Sequence, residues 1–346
     1  MFSETVMYGG LVIVLLLVLS LPFVVKKVEE NLEVFLFIMG LAAAIISGVL
    51  GKELALKALE EPIMITLAVL VAGLLFRYFQ KNIAGGMDTI KHKISYKVLF
   101  FFIIVILGLA SSFITAIIAS LVLVEIVNSL HLDRKSAIAL DIIACFSIGL
   151  GAALTPVGEP LATIAISKMN QGFFYLIDIL GVFIIPGIIA LGIFGAFYIK
   201  PSNADSGLSV GDEGETIKDV IIRALKVYLF VMALVFLGEG FKPAIDKFVI
   251  GLNSQILFWL NMISAILDNA TLTAAEISIK MTTEQVTAVL MGLLISGGML
   301  IPGNIPNIIS AGKLKIGSKE WAKLGVPLGL VIMLIYFVII FYILHV

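Results

Sequence analysis

Four long apolar stretches of this chain contain no lysine or arginine, yet three of them contain carboxylates. Residues 98–130, 136–167, 252–279 and 286–312 hold Glu125, Asp141, Glu159, Asp268 and Glu276 between them. A charged, unpaired acid in a bilayer interior is expensive. Without basic partners such groups must take up a proton or a metal ion. Competition of H⁺ and Na⁺ for one carboxylate is itself an exchange mechanism, with Asn, Ser and Thr oxygens and freed backbone carbonyls completing the ion's shell. Asp268, beside Asn269, and Glu159, between Gly158 and Pro160, sit where the backbone is expected to open. They are the first candidates for proton and cation binding, Asp268 ahead of Glu159. The bland alternatives are a helix N-cap for Asp268 and a hydrogen bond to freed backbone for Glu159. Glu125 and Glu276, near the ends of their stretches, read as solvated interface acids. Asp141 reads as structural, with a cavity-facing role as its alternative.

The expected openings come from proline. Thr155-Pro156-Val157-Gly158-Glu159-Pro160 and Ile301-Pro302-Gly303-Asn304-Ile305-Pro306 each place two prolines four apart inside an apolar, helix-length segment, and the pairs lie 146 residues apart. Proline removes a backbone donor and breaks the helix. Inside a bilayer the freed carbonyls are tolerated only where they line a cavity or are buried in protein. Matching breaks in the two halves of a chain point to a transporter's binding site. Supporting ligands are then Ser111, Thr115, Thr155, Thr271, Asn304 and Asn307, with sodium assigned to Asp268, Asn269 and Asn304. The competing reading for the hydroxyls is a bond to the preceding turn. His131, with Arg134 and Lys135, reads as part of a solvated loop, and pH sensing by His92 or His131 is the alternative.

Elements able to hold such groups follow from composition. The chain has 346 residues, 60% of them hydrophobic and 14% charged, which is a membrane composition. A bilayer core takes about 20 apolar residues per span. Runs of this kind cover 7–25, 34–50, 62–76, 173–199, 220–237 and 324–344, and the first reads as a retained helix because it lacks a basic leader and a cleavage site. A net charge of −1 without a basic cluster argues against nucleic acid. Cys145 is the sole cysteine and reads as a packing residue. No nucleophile and base, metal cluster or phosphate-binding glycine loop is found, so the chain reads as neither an enzyme nor an ATP-driven pump. No cofactor is expected beyond transported Na⁺ and H⁺.

The stretches 98–130 and 252–279 are each either one long helix or a re-entrant hairpin, with tips at Ser111 to Thr115 and Ser264 to Thr271. Drawn as hairpins they put 17 Lys/Arg inside and 6 outside, against 14 and 9 for simple crossings. The positive-inside rule prefers the hairpins. The expected fold is therefore an all-α polytopic membrane protein of inverted-topology repeats, each with a re-entrant helical hairpin and a broken transmembrane helix. Residues 1–61 are N-terminal helices, 62–199 the first repeat, 200–217 a cytoplasmic linker and 218–346 the second repeat. Ser111 aligns with Ser264, Thr115 with Asp268, and Gly158 with Asn304.

At these residues the chain resembles a known group. Ser264-Ala265-Ile266-Leu267-Asp268-Asn269-Ala270-Thr271, followed by Gly303-Asn304-Ile305-Pro306-Asn307-Ile308-Ile309, looks like the ion transporter superfamily, notably its sodium/proton antiporter and arsenite permease branch. Gly151 to Pro160 is similar to the same branch's broken-helix motif. The resemblance covers roughly 98–312 and implies a homodimer with a scaffold and a moving transport domain in the cytoplasmic membrane. Two features depart from it: the first tip offers only Ser111, Ser112 and Thr115 where dicarboxylate carriers have Ser-Asn-Thr, and the second repeat has fewer helices than is usual. The expected function is sodium/proton antiport by alternating access, with lipid and small cations as partners. A sodium-coupled organic anion or oxyanion symporter, using helix N-termini as anion sites, is the alternative. A passive channel is a third and weaker one.

Overall fold

The computed structural model describes residues 3–64, 66–67, 69–71, 74, 94–201, 217–248, 252–262, 269–277 and 279–344. Within them every regular element is helical. In chain order these are α1 (Glu4–Val24), α2 (Lys26–Glu30), α3 (Leu32–Ile46), α4 (52–64), α5 (Tyr96–Ile114), α6 (Ala116–Ser129), α7 (Arg134–Ala152) and α8 (Pro160–Met169). They continue with α9 (Tyr175–Tyr198), α10 (Ile217–Phe248), α11 (Ser254–Leu260), α12 (Asn269–Glu276), α13 (Thr283–Gly297), α14 (Ile305–Leu314) and α15 (Ser318–Val338). Six of these, α1, α5, α7, α9, α10 and α15, carry stretches long and apolar enough to cross a membrane. The chain is a helical, multi-pass membrane protein.

Burial separates the core helix from the periphery. The apolar window of α7 is 89% buried, whereas that of α1 is 24% buried. Helices α5, α6, α9, α13, α14 and α15 all pack on α7. Its small residues, Ala137, Ala139, Ala144, Ser147, Gly149 and Gly151, are buried and allow close approach, as interfaces inside membranes require. At the periphery α3 packs along α10, and Glu33 pairs with Lys226 at 2.9 Å.

Residues 96–129 fold back on themselves. Helix α5 starts where Lys97 lies over the Phe197 ring, near the level at which Ser136 Oγ donates to Lys200 O at 3.3 Å. It ends beside the middle of the next pair, where Thr155 Oγ1 donates to Ser112 O. The chain reverses at Thr115, and Ala116 N donates to Gly158 O at 3.0 Å. Helix α6 then returns to Ser129, four residues before Asp133 caps α7 by accepting from Ser136 N. Thr115 has φ 71° and ψ 149°, a region a β-branched residue enters only under strain. Its own hydroxyl accepts from Ile118 N at 3.4 Å and caps α6.

The two proline segments are breaks of one design. Helices α7 and α13 end at C-caps Ala153 (φ −76°, ψ −11°) and Gly298 (−75°, −17°), and six residues later Glu159 (−154°, 159°) and Asn304 (−152°, 145°) cap α8 and α14. Each of these two helices has 10 residues, carries proline in its first turn, where a missing N–H costs nothing, and closes on a left-handed residue, Asn170 or Lys315. The offset between equivalent positions is thus one residue shorter than the proline spacing. Asn304 is the counterpart of Glu159, and not of Gly158 as the proline pairs imply, because the cap and not the proline fixes where the helix resumes.

Other boundaries also move. The chain is helical from 52, ahead of the run expected from residue 62, and α10 is longer than its apolar run. The bulk of the expected linker, 202–216, lies outside the described residues, as does His92. His131 sits in the α6–α7 turn with φ 50°, its Nδ1 at 2.9 Å from Ser129 O.

Candidate functional site

Each half-helix that follows a break packs on an arm from the other half of the chain: α8 on α12, and α14 on α6. Helix α14 also crosses α7 in the opposite direction, since Ser310 Oγ donates to Asp141 Oδ2 at 2.9 Å while the Asn304 amide lies over Gly149. This reciprocal crossing brings the two cap residues to one place. A cavity of about 340 Å³ is lined by Glu159, Asn304 and Asn269, together with residues of α4 and α10.

The caps explain why these side chains face the cavity. At a resumed helix the first backbone N–H groups have no intrahelical acceptor, and neither Glu159 nor Asn304 returns its side chain to close its own cap. Glu159, Asn269 and Asn304 are all buried. Two glycines make room for the amides. A Cβ on Gly149 would stand 2.5 Å from Asn304 Nδ2, and one on Gly297 would stand 2.7 Å from Asn269 Nδ2. The Asn269 side chain is fixed against α13, yet neither its Oδ1 nor its Nδ2 has a hydrogen-bond partner. A buried amide in that condition costs about 1–3 kcal/mol per unmet group, unless a ligand meets it.

The wall also carries positive charge, which those four apolar segments lack. Lys57 from α4 and Lys242 and Glu239 from α10 line the cavity. Lys57 is bonded to Glu239 and lies 3.6 Å from Glu61, while Lys242 lies 3.6 Å from Asp246. The expectation of a site with acids and no bases is corrected here. It considered only the proline and hairpin segments, and tertiary packing adds α4 and α10.

The remaining candidates separate by what their oxygens do. Ser111 Oγ donates to Gly108 O at 2.6 Å and contacts Ile148 O at 3.0 Å; Thr155 Oγ1 donates to Ser112 O and accepts from Val157 N at 3.2 Å. Ser111 and Thr155 tie the end of α5 to α7 and the first break, Thr115 caps α6, and none of the three lines the cavity. Asn307 is the second break's clamp, its Nδ2 donating to Gly297 O at 2.8 Å and Leu300 O at 2.9 Å. These are carbonyls that the break releases. Asp268 lies outside the described residues, with the tip at 263–268, and so does the Thr271 side chain. The structure therefore places Asn269 and Asn304, but not Asp268, of the expected sodium set.

Two acids read as solvated are buried. Glu125 is 5% exposed and Glu276 3%; both lie near helix ends, but those ends are packed inside the protein. Asp141 is fully buried, and Cys145 Sγ lies 3.3 Å from the Ser310 hydroxyl that Asp141 accepts from. Lys57, Glu239 and Lys242 were missed because they come from segments without a break or a tip. For Glu239 and Lys242 the signal available was their place at the end of α10's apolar run, whereas Lys57 lies in a helix with Lys52, Glu53, Glu60 and Glu61 and carries no such signal.

No curated protein matches the chain. Residues 8–343 match the family described as "Protein of unknown function (DUF1646)", and over that span the chain belongs to this family.

Proposed function

We propose that this protein is a secondary active ion transporter, exchanging Na⁺ for H⁺ by alternating access, with Glu159 as the exchangeable carboxylate. The observation that carries the reading is the convergence of Glu159 and Asn304, equivalent caps of two broken helices, with Asn269 on one cavity. A carboxylate with neutral amide oxygens is a donor set for a small hard cation. The antiparallel crossing of α7 and α14 and the reciprocal packing of α8 and α14 support a two-fold, inverted relation between halves, which is how carriers present one site to either side in turn. The hairpin-like return of α5 and α6 supports the re-entrant drawing, and the resemblance to the ion transporter superfamily points the same way. Nothing in the site calls for a catalytic reaction. The homodimer remains an implication of that resemblance.

A second reading draws on the same wall. Helix N-termini and two lysines favour an anion, which suits a sodium-coupled organic anion or oxyanion symporter. Liposomes holding a pH-sensitive dye separate the two. With a pH gradient and no organic solute, antiport predicts that added Na⁺ or Li⁺ dissipates the gradient. Silence with every cation, together with uptake of a labelled dicarboxylate or oxyanion, would establish the symporter.

A further inference from the structure

From Asn269 at the cavity, helix α12 carries a polar stripe whose further members none of these roles uses. Asn269, Thr273 and Glu276 are spaced four and three residues apart, which stacks them on one helix face. They are 4%, 0% and 3% exposed. The stripe begins at the cavity with Asn269 and, at a rise of 1.5 Å per residue, reaches Glu276 about 10 Å further along. There the Glu276 carboxyl lies beside the side chain of Asn261, the C-cap of α11. Asn261 is held firmly, its Nδ2 donating to Val289 O at 3.3 Å and its carbonyl accepting from Ser296 Oγ at 2.7 Å.

The stripe is rich in unmet oxygens. Asn261 Oδ1, Thr273 Oγ1, Glu276 Oε2 and Asn269 Oδ1 are buried without hydrogen-bond partners. A buried oxygen that nothing meets is destabilising, and here they share one helix face and its immediate neighbour. No Lys, Arg or His occurs among the described residues of α11, α12 and α13. An all-oxygen set bearing one carboxylate and buried from water suits a hard monovalent cation.

We propose that Glu276, Thr273 and Asn261 form a second, dehydrated sodium site, joined to the cavity by Asn269. The site deepens the exchange reading and rests on it for the choice of sodium. A cation leaving the cavity would pass from the Asn269 amide to the Thr273 hydroxyl and then to the Glu276 carboxylate, one helical turn at a time.

Equilibrium binding of radioactive sodium to the purified full-length protein, paired with thermal unfolding in NaCl against choline chloride, tests the site. Wild type is expected to bind Na⁺ and to gain thermal stability from it. Glu276→Gln is expected to weaken that binding about 10–100-fold. Thr273→Val, close in shape and able to fold if the first variant does not, is expected to weaken it in the same direction by less. Absence of Na⁺ binding in wild type, or unchanged affinity in the variants, overturns the site. Because binding is read without transport, sodium binding that depends on Glu276 in a protein that exchanges no protons would keep the site and sink the antiport reading.

Discussion

The two broken helices share a backbone and differ in chemistry. Each stops at a right-handed C-cap, runs six residues to an extended N-cap and resumes for ten residues to a left-handed end. The first break carries a carboxylate at its cap and is held by hydroxyls, with Thr155 bound to Ser112 and Ser111 reaching Ile148. The second carries an amide at its cap and is held by the Asn307 clamp. In the proposed exchange the like backbones would let either half take the other's place, and the unlike caps would leave Glu159 as the carboxylate for which a proton and a cation compete.

The largest expected effect comes from erasing that difference. Glu159→Gln makes both caps neutral and should lower Na⁺-driven proton movement by about 100-fold, read in the dye-loaded liposomes, with the protein still extracted as a folded species. Activity at the wild-type level would remove Glu159 from the mechanism. Next comes the clamp. Asn307→Leu strands the carbonyls of Gly297 and Leu300, at a cost on the order of 3 kcal/mol, so the thermal midpoint should fall, and fall further than with Thr155→Val, which loses a hydroxyl bond worth about 1 kcal/mol. Equal losses would mean that the two breaks are held by something other than these side chains.

A smaller effect is expected where glycine admits an amide. Gly297→Ala sets a methyl 2.7 Å from Asn269 Nδ2, and such overpacking costs about 1–3 kcal/mol. The half-saturating Na⁺ concentration for exchange should rise while the maximal rate changes less. The smallest belongs to the wall. Lys242 and Asp246 are both half-exposed, and a pair of that kind contributes less than about 0.5 kcal/mol. Lys242→Gln should leave cation exchange nearly unchanged, whereas a symporter that holds its anion with this ammonium group should lose anion affinity.

Much of this scaffold was legible in the sequence because its signals are local. Proline pairs marked both breaks, and four of the six apolar runs coincide with helices long enough to cross a membrane. Glu159, Asn304 and Asn269 were singled out for lying beside open backbone, and all three line one cavity. The register between the halves was off by one residue because proline tolerates any position in a helix's first turn. The burial of Glu276 and Glu125 was not legible, since distance from a helix end says nothing about what packs on it. Nor was the approach of Lys57 and Lys242, which depends on how α4 and α10 dock. Asp268, the first candidate in the sequence, lies outside the described residues.

Accessibility of the cavity tests the central claim most directly. In a protein with Cys145 replaced by serine, a single cysteine at Ile164, on the cavity wall, can be challenged with a membrane-impermeant thiol reagent from either side of a sealed membrane. Alternating access predicts labelling from both sides, with the ratio of the two rates shifted by Na⁺. Labelling from one side alone, at a rate indifferent to Na⁺ and to pH, would contradict it.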